Sequence, residues 1–144
     1  MEQIHGTCVI IGGIGVLFSG PPGSGKSDLA LRLIDVGATL VADDRVNLRQ
    51  RDGSIIMSAP AEISGLLEVR GLGILGFEAA AEARLGLAVD LVARDIIDRM
   101  PEPETRSYLG IPITLIRQHP FDISAAAKVR LAAGALVRDI MPPP

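Results

Sequence analysis

A chain of 144 residues is long enough to bury one core and is read as a single domain over residues 1–144. Its formal charge of −3 excludes a general nucleic-acid binder, which needs a basic face, and 3% aromatic content supplies few base-stacking platforms. Hydrophobic residues make up 48% of the chain, yet no apolar run approaches the ~20 residues that span a bilayer, so no membrane association is expected. The apolar surplus is expected to cover a buried sheet or a subunit interface, hence a homo-oligomer. Cys8 is the lone cysteine, which rules out an internal disulfide or a thiolate zinc site and suits a reducing cytoplasm. The stretch from Cys8 to Phe18 has no basic leader and no small-residue cleavage site, so no signal peptide is expected.

In chain order, Thr7–Ile11 and Val16–Phe18 flank a glycine-rich turn and predict a hairpin. Its second strand delivers Gly20-Pro21-Pro22-Gly23-Ser24-Gly25-Lys26-Ser27, which matches G-x-x-x-x-G-K-[ST] at every fixed position. Such a loop curls its backbone N–H groups around phosphate oxygens. Lys26 can then reach the outer phosphates, and the Ser27 hydroxyl can ligate Mg²⁺. Residues 27–34 predict the helix that leaves the loop and offers its N-terminus to the anion. Leu29, Leu33 and Val36 form its apolar side, and Gly37 is its C-terminal cap.

Thr39–Ala42 predicts a short strand ending in Asp43-Asp44, and Val46–Arg49 and Ser54–Met57 predict a hairpin about Asp52-Gly53. Leu66–Leu75 places one acid and one base among apolar residues. The alanine-rich segment 78–84 predicts one or two helical turns, and Leu85–Val92 a strand. Met100–Glu104 reads as a surface linker, Ile113–Arg117 as the last strand, and Ile123–Ile140 as the longest helix. That helix has Val129, Ala133, Leu136, Val137 and Ile140 on its apolar side and Asp122 or Ser124 as its cap. Strands dominate between residues 39 and 117, so the expectation is a strand-rich mixed α/β sheet carrying the phosphate loop rather than a doubly wound alternation.

Phosphoryl transfer needs metal ligands and a group that steers the attacking oxygen. Asp43-Asp44, at a strand end, can supply a carboxylate facing the terminal phosphate; the alternative reading is an acidic pair that starts a turn. Glu68 sits in an apolar strand, where a carboxylate is costly unless paired or metal-bound. Arg70, two residues on, offers the ion pair, and Mg²⁺ the alternative. Taken alone, His5 and Arg99 read as exposed groups, and His119 carries no assignment.

Taken together, His5-Gly6, the loop Gly20–Ser27, Leu40–Asp44 and Leu67–Ile74 resemble the C-terminal domain of bacterial HPr kinase/phosphorylase in order and spacing. The match runs from about residue 4 to residue 76. The resemblance implies a fold similar to phosphoenolpyruvate carboxykinase. It further implies a serine protein kinase using ATP and Mg²⁺ to phosphorylate the phosphocarrier HPr or its nitrogen-branch relative, in control of phosphotransferase-linked metabolism. Many members also remove that phosphate by phosphorolysis, and members assemble as hexamers. By matching motif, Asp43 would be the proton acceptor, supported by His5 and Asp44, and Lys26 would stabilise the transferring group. Ser27 and Glu68 would hold Mg²⁺, and Asp98-Arg99 resembles an Asp-Arg site that makes Arg99 a catalytic arginine. The family's N-terminal domain is expected to be absent, as in its short members. Its arginine-glycine-rich loop after the last strand is replaced by Ile116–Asp122. The other readings are a small-molecule kinase of the phosphoenolpyruvate carboxykinase-like group and a nucleotide-sensing module without turnover.

Overall fold

The strand β9 (Ala83–Leu91) is the one on which the molecule is assembled, because both of its edges and both of its faces are used. The computed structural model describes residues 1–138, with 137 and 138 described by backbone alone. Before β9 come β1 (Glu2–His5), β2 (Thr7–Ile11), β3 (Ile14–Ser19), α1 (Lys26–Ile34), β4 (Thr39–Ala42), β5 (Arg45–Arg51), β6 (Ser54–Ser58), β7 (Leu66–Val69) and β8 (Gly73–Gly76). After it come β10 (Thr105–Tyr108), β11 (Ile111–Gln118) and α2 (Ala125–Arg138). On one edge β9 runs parallel to β3, which leads on to β2 and β4. Its other edge is shared. Ala83 and Arg84 pair antiparallel with β6, which leads to β5 and β1, and residues 87–91 run parallel to β11. A nine-strand sheet therefore forks at β9. The hairpin β7–β8 stands apart as its own small sheet.

Period-two alternation divides the apolar residues between two cores. Val9, Val16, Phe18, Leu87 and Val89 face one side, where Leu29 and Leu33 of α1 and Val129 and Ala133 of α2 cover them. Cys8, Leu17 and Ala88 face the other, closed by Val46, Leu48, Ile55 and Met57 as the sheet curls over itself. A third cluster, Leu40, Leu67 and Val69 with Leu31 and Phe77 against it, seats the β7–β8 hairpin on α1. Among the described residues, no helix is long and apolar enough to cross a membrane.

Several expectations change. Residues 78–84 form no helix: Ala79 bridges Leu40, the Ala80 N–H donates to Leu40 O at 2.9 Å, and β9 begins at Ala83. Glu82 ties the segment down through Arg49 and Arg51, each at 2.6 Å, so tertiary contacts override alanine's helix propensity. Val36 is exposed, because α1 ends at Ile34 and the chain has already turned. Three strands, β1, β8 and β10, were not anticipated. The side chain of Val137, and Ile140 with the terminal prolines, lie outside the described residues.

Glu68 is the correction with functional weight. β7 alternates exposed Leu66, buried Leu67, exposed Glu68 and buried Val69, so the Glu68 side chain is on the open face. The burial cost that argued for a metal or a partner does not arise there.

Candidate active site

Because β3, β9 and β11 are parallel, their carboxyl ends lie side by side, and the segments that follow them meet at one edge of the sheet. That edge is where open α/β sheets bind ligands. Residues 20–25 leave β3 there and curl back on themselves, the Ser24 N–H donating to Pro21 O at 3.0 Å. Gly25 then adopts φ 97, a left-handed conformation that side-chain-bearing residues avoid, and α1 starts at the next residue with no side-chain cap. The uncapped first turn leaves backbone N–H donors and the positive end of the helix dipole at the cleft. Lys26 Nζ donates to the carbonyls of Gly20 and Pro21 at 2.8 and 3.1 Å, which holds the ammonium across the loop.

Opposite the loop stands Asp43, at the end of β4 and only 6% exposed. Its Oδ1 accepts hydrogen bonds from Ser27 Oγ at 2.7 Å and Thr7 Oγ1 at 2.9 Å, and its Oδ2 accepts from the Glu68 N–H at 3.1 Å. One carboxylate thus joins the phosphate loop, β2, β4 and β7. Asp44 follows with φ 74, and its exposed carboxylate lies 3.9 Å from Arg45 Nε. The abrupt backbone there points Asp43 inward and Asp44 outward.

These groups line a cleft of about 320 Å³ that includes Thr7, Pro22, Gly23, Gly25, Lys26, Ser27, Asp43, Asp44, Glu68, Arg70 and Phe121. His5 and Arg99 are not among the lining residues. His5 is exposed at the end of β1, where its backbone pairs with Arg45, and the adjacent Gly6 N–H donates to Asp44 O at 3.1 Å. Arg99 is exposed in the segment after β9 and is not part of the cleft wall. Thr7, Arg70 and Phe121 are site residues that the sequence did not single out for the cleft. Thr7 is a buried strand threonine with no local motif. Phe121 carried a detectable signal, an aromatic ring in a polar loop. A larger groove of about 610 Å³ between α1, α2 and the β2–β3 turn has an apolar wall with Arg130 as its charged member, and lacks the groups such chemistry needs.

The loop after β11 is held firmly. Arg32 Nη2 donates to Pro120 O, His119 Nδ1 lies 3.0 Å from Val92 O, and Arg94 Nε donates to Asp122 Oδ1 at 2.7 Å. The Arg94 guanidinium holds the Asp122 carboxyl below the usual carboxylate range. Oxygen is the shared chemistry of Ser27, Asp43 and Glu68, and among the described residues no group of three or more His, Cys, Asp and Glu side chains is placed to hold a metal. That composition fits Mg²⁺, which takes one or two carboxylates and completes its shell with phosphate oxygens and water.

Comparison with known proteins gives concordant results. The family model described as the HPr serine kinase C-terminal domain matches residues 1–117. The HPr kinase/phosphorylase of Bordetella pertussis is 38% identical over 148 aligned positions, covering 94% of this chain and 47% of that protein. The HPr kinase/phosphorylase of Clostridium botulinum is 48% identical over 73 residues, 51% of this chain and 24% of its own length. The chain thus spans at most about half the length of these curated relatives. The solved structure of the Hpr(Ser) kinase/phosphatase from Coxiella burnetii superposes with a TM-score of 0.77 at 28% identity, covering 96% of this chain and 95% of that one.

Proposed function

The chain belongs to the HPr serine kinase C-terminal domain family, and from that premise we propose that it transfers the terminal phosphoryl group of ATP, with Mg²⁺, to a serine hydroxyl of an HPr-like phosphocarrier protein. The observation that carries this reading is Asp43, a buried carboxylate hydrogen-bonded to Ser27 of the phosphate loop at 2.7 Å. A carboxylate offers about four lone-pair sites. Three are engaged by Ser27, Thr7 and the Glu68 N–H, which leaves Oδ2 with room for one more proton.

In the proposed reaction the loop N–H groups and Lys26 bind the phosphates, and Lys26 exchanges its loop carbonyls for phosphate oxygens. Asp43 Oδ2 accepts the serine proton as the serine oxygen forms its bond to the γ-phosphorus and the bond from that phosphorus to the bridging oxygen of ADP breaks. Ser27 and Glu68 would hold Mg²⁺, which when bound neutralises phosphate charge. Thr7 keeps Asp43 from rotating. His5 and Asp44 act on its position through the backbone, where Gly6 N–H meets Asp44 O. Positioning and charge stabilisation dominate such transfers, so a rigid, pre-aligned carboxylate is the feature the reaction requires. No step is assigned to Arg99, which stands outside the cleft wall.

The test is mass spectrometry of an HPr-like protein after incubation with this chain, Mg²⁺ and ATP. A phosphoserine is the expected product. A folded preparation that binds ATP yet transfers nothing to any such carrier would overturn the assignment.

A further inference from the structure

The chain holds four aromatic residues, and three of them are spent on packing: Phe18 is fully buried, Tyr108 is 9% exposed, and Phe77 lies partly buried against the cluster beneath β7. Phe121 is 61% exposed, the exception among the described residues. It is also fixed in place. Pro120 beside it is buried, Arg32 donates to the Pro120 carbonyl, and His119 packs edge-on at 5.9 Å between ring centroids and 75° between planes. Asp122, on its other side, is held by Arg94 at 2.7 Å. The ring stands against the phosphate loop itself: a Cβ placed on Gly25 would meet Phe121 Cζ at 3.0 Å and Pro120 Cβ at 3.1 Å.

Phe121 lines the same cleft as Gly25, Lys26 and Ser27, so its exposed face borders the space beside the phosphate loop. In the function proposed above the loop engages phosphates through backbone and charge, which leaves the base to be held by a group outside the loop. We propose that Phe121 is the platform on which the base of the donor nucleotide stacks, with Gly25 bare so that ring and loop sit flush. Every base has a π face, so stacking of this kind secures the nucleoside without reading its edge. The proposal rests on the phosphate-loop part of the function proposed above and adds the base subsite to it.

The experiment is titration calorimetry on the full chain with Mg²⁺, using ATP in one arm and tripolyphosphate, which has no base, in the other. The wild type, Phe121→Ala and Phe121→Trp are compared, with circular dichroism as the check that each is folded. Phe121→Ala is expected to weaken ATP binding on the order of tenfold, within a range of roughly 5- to 150-fold, and to leave tripolyphosphate unchanged. Phe121→Trp is expected to restore or tighten ATP binding. Unchanged ATP affinity in Phe121→Ala overturns the proposal while sparing the function above, as does equal weakening of both ligands, which would mark a role in shaping the loop. A rise confined to the KM for the protein acceptor also overturns it, by making Phe121 a protein contact. A wild type that binds neither ligand sinks the phosphate-loop reading, and the base platform with it.

Discussion

Replacing Asp43 with asparagine separates the chemistry from the architecture. Asparagine keeps the shape and exchanges one acceptor oxygen for an NH₂ donor. With its oxygen at the Oδ1 position, the amide still accepts from Ser27 and Thr7, but its NH₂ then faces the Glu68 N–H, donor against donor. The flipped amide accepts from the Glu68 N–H and donates its two N–H groups to the Ser27 and Thr7 hydroxyl oxygens, which accept as well as donate, so it keeps all three partners. What the variant loses is the charge on the acceptor: three charge-assisted hydrogen bonds become neutral ones, a cost of about 1.5–3 kcal/mol in all. For a chain of this size that lowers Tm by roughly 2–4 °C per kcal/mol, so Asp43→Asn folds and melts several degrees early. Its phosphoryl transfer is expected to fall by more than ~100-fold, because the amide cannot take up the serine proton. The assay pairs a thermal melt and an ATP titration with single-turnover transfer from labelled ATP to the carrier protein. Transfer within about tenfold of wild type, from a folded variant that binds ATP normally, would refute Asp43 as the proton acceptor.

Thr7→Val, an equal-volume change that removes one donor to Asp43, should cost about 1 kcal/mol in urea titrations and leave ATP affinity intact, with only a modest fall in transfer. Gly15→Ala puts a Cβ 2.4 Å from the Arg84 carbonyl oxygen, where β3 meets β9. A loss of about 1–3 kcal/mol is expected in denaturant unfolding, and an unchanged midpoint would show that the strands separate freely there. Burial pushes the Cys8 thiol up to about 12 from its ordinary 9.0, so the folded state holds the proton that the unfolded chain releases. Stability from this group is complete below the unfolded value and falls as pH rises toward the folded one, at up to about 1.4 kcal/mol per pH unit. Cys8→Ala should therefore flatten the alkaline limb of stability against pH, and thiol reagents should label wild-type Cys8 only as it unfolds.

Legibility in the sequence followed the reach of each signal. The phosphate loop, its strand and its helix are local patterns, and α1 starts one residue before the position read from the sequence. The Asp52-Gly53 hairpin was equally visible, since aspartate and glycine both tolerate positive φ. The β10–β11 hairpin turns instead on Leu109-Gly110, with Leu109 at φ 49, a conformation leucine avoids and no turn rule anticipates. Residues 78–84 show the converse. Four alanines among seven residues favour a helix locally, but Leu40, Arg49 and Arg51 supply partners from far along the chain. Glu68 was singled out through a burial it does not have, yet its backbone N–H is the group that meets Asp43. The main-chain contact was illegible because it depends on how β7 sits on α1, a matter of Leu67 and Val69 packing against Leu31 and Leu40.

Asp43 ties four segments of the fold together at a single carboxylate. Of the described ionisable side chains that are classed as buried polar or charged, it is the one carboxylate, and its three partners come from segments as far apart as residues 7, 27 and 68. A buried carboxylate usually stabilises only when every lone pair is answered. Here one position on Oδ2 stays unanswered, and in the proposed reaction that is the position the serine hydroxyl reaches. For the proposed role, full satisfaction would leave the group inert as a base, and fewer hydrogen bonds would let it swing out of line. In the proposed reaction the four segments it joins therefore do more than hold a residue: they set the direction of the acceptor's approach, between the phosphate loop and the β7–β8 hairpin. Under the proposed function, that geometry favours hydroxyls presented on something narrow enough to enter the cleft.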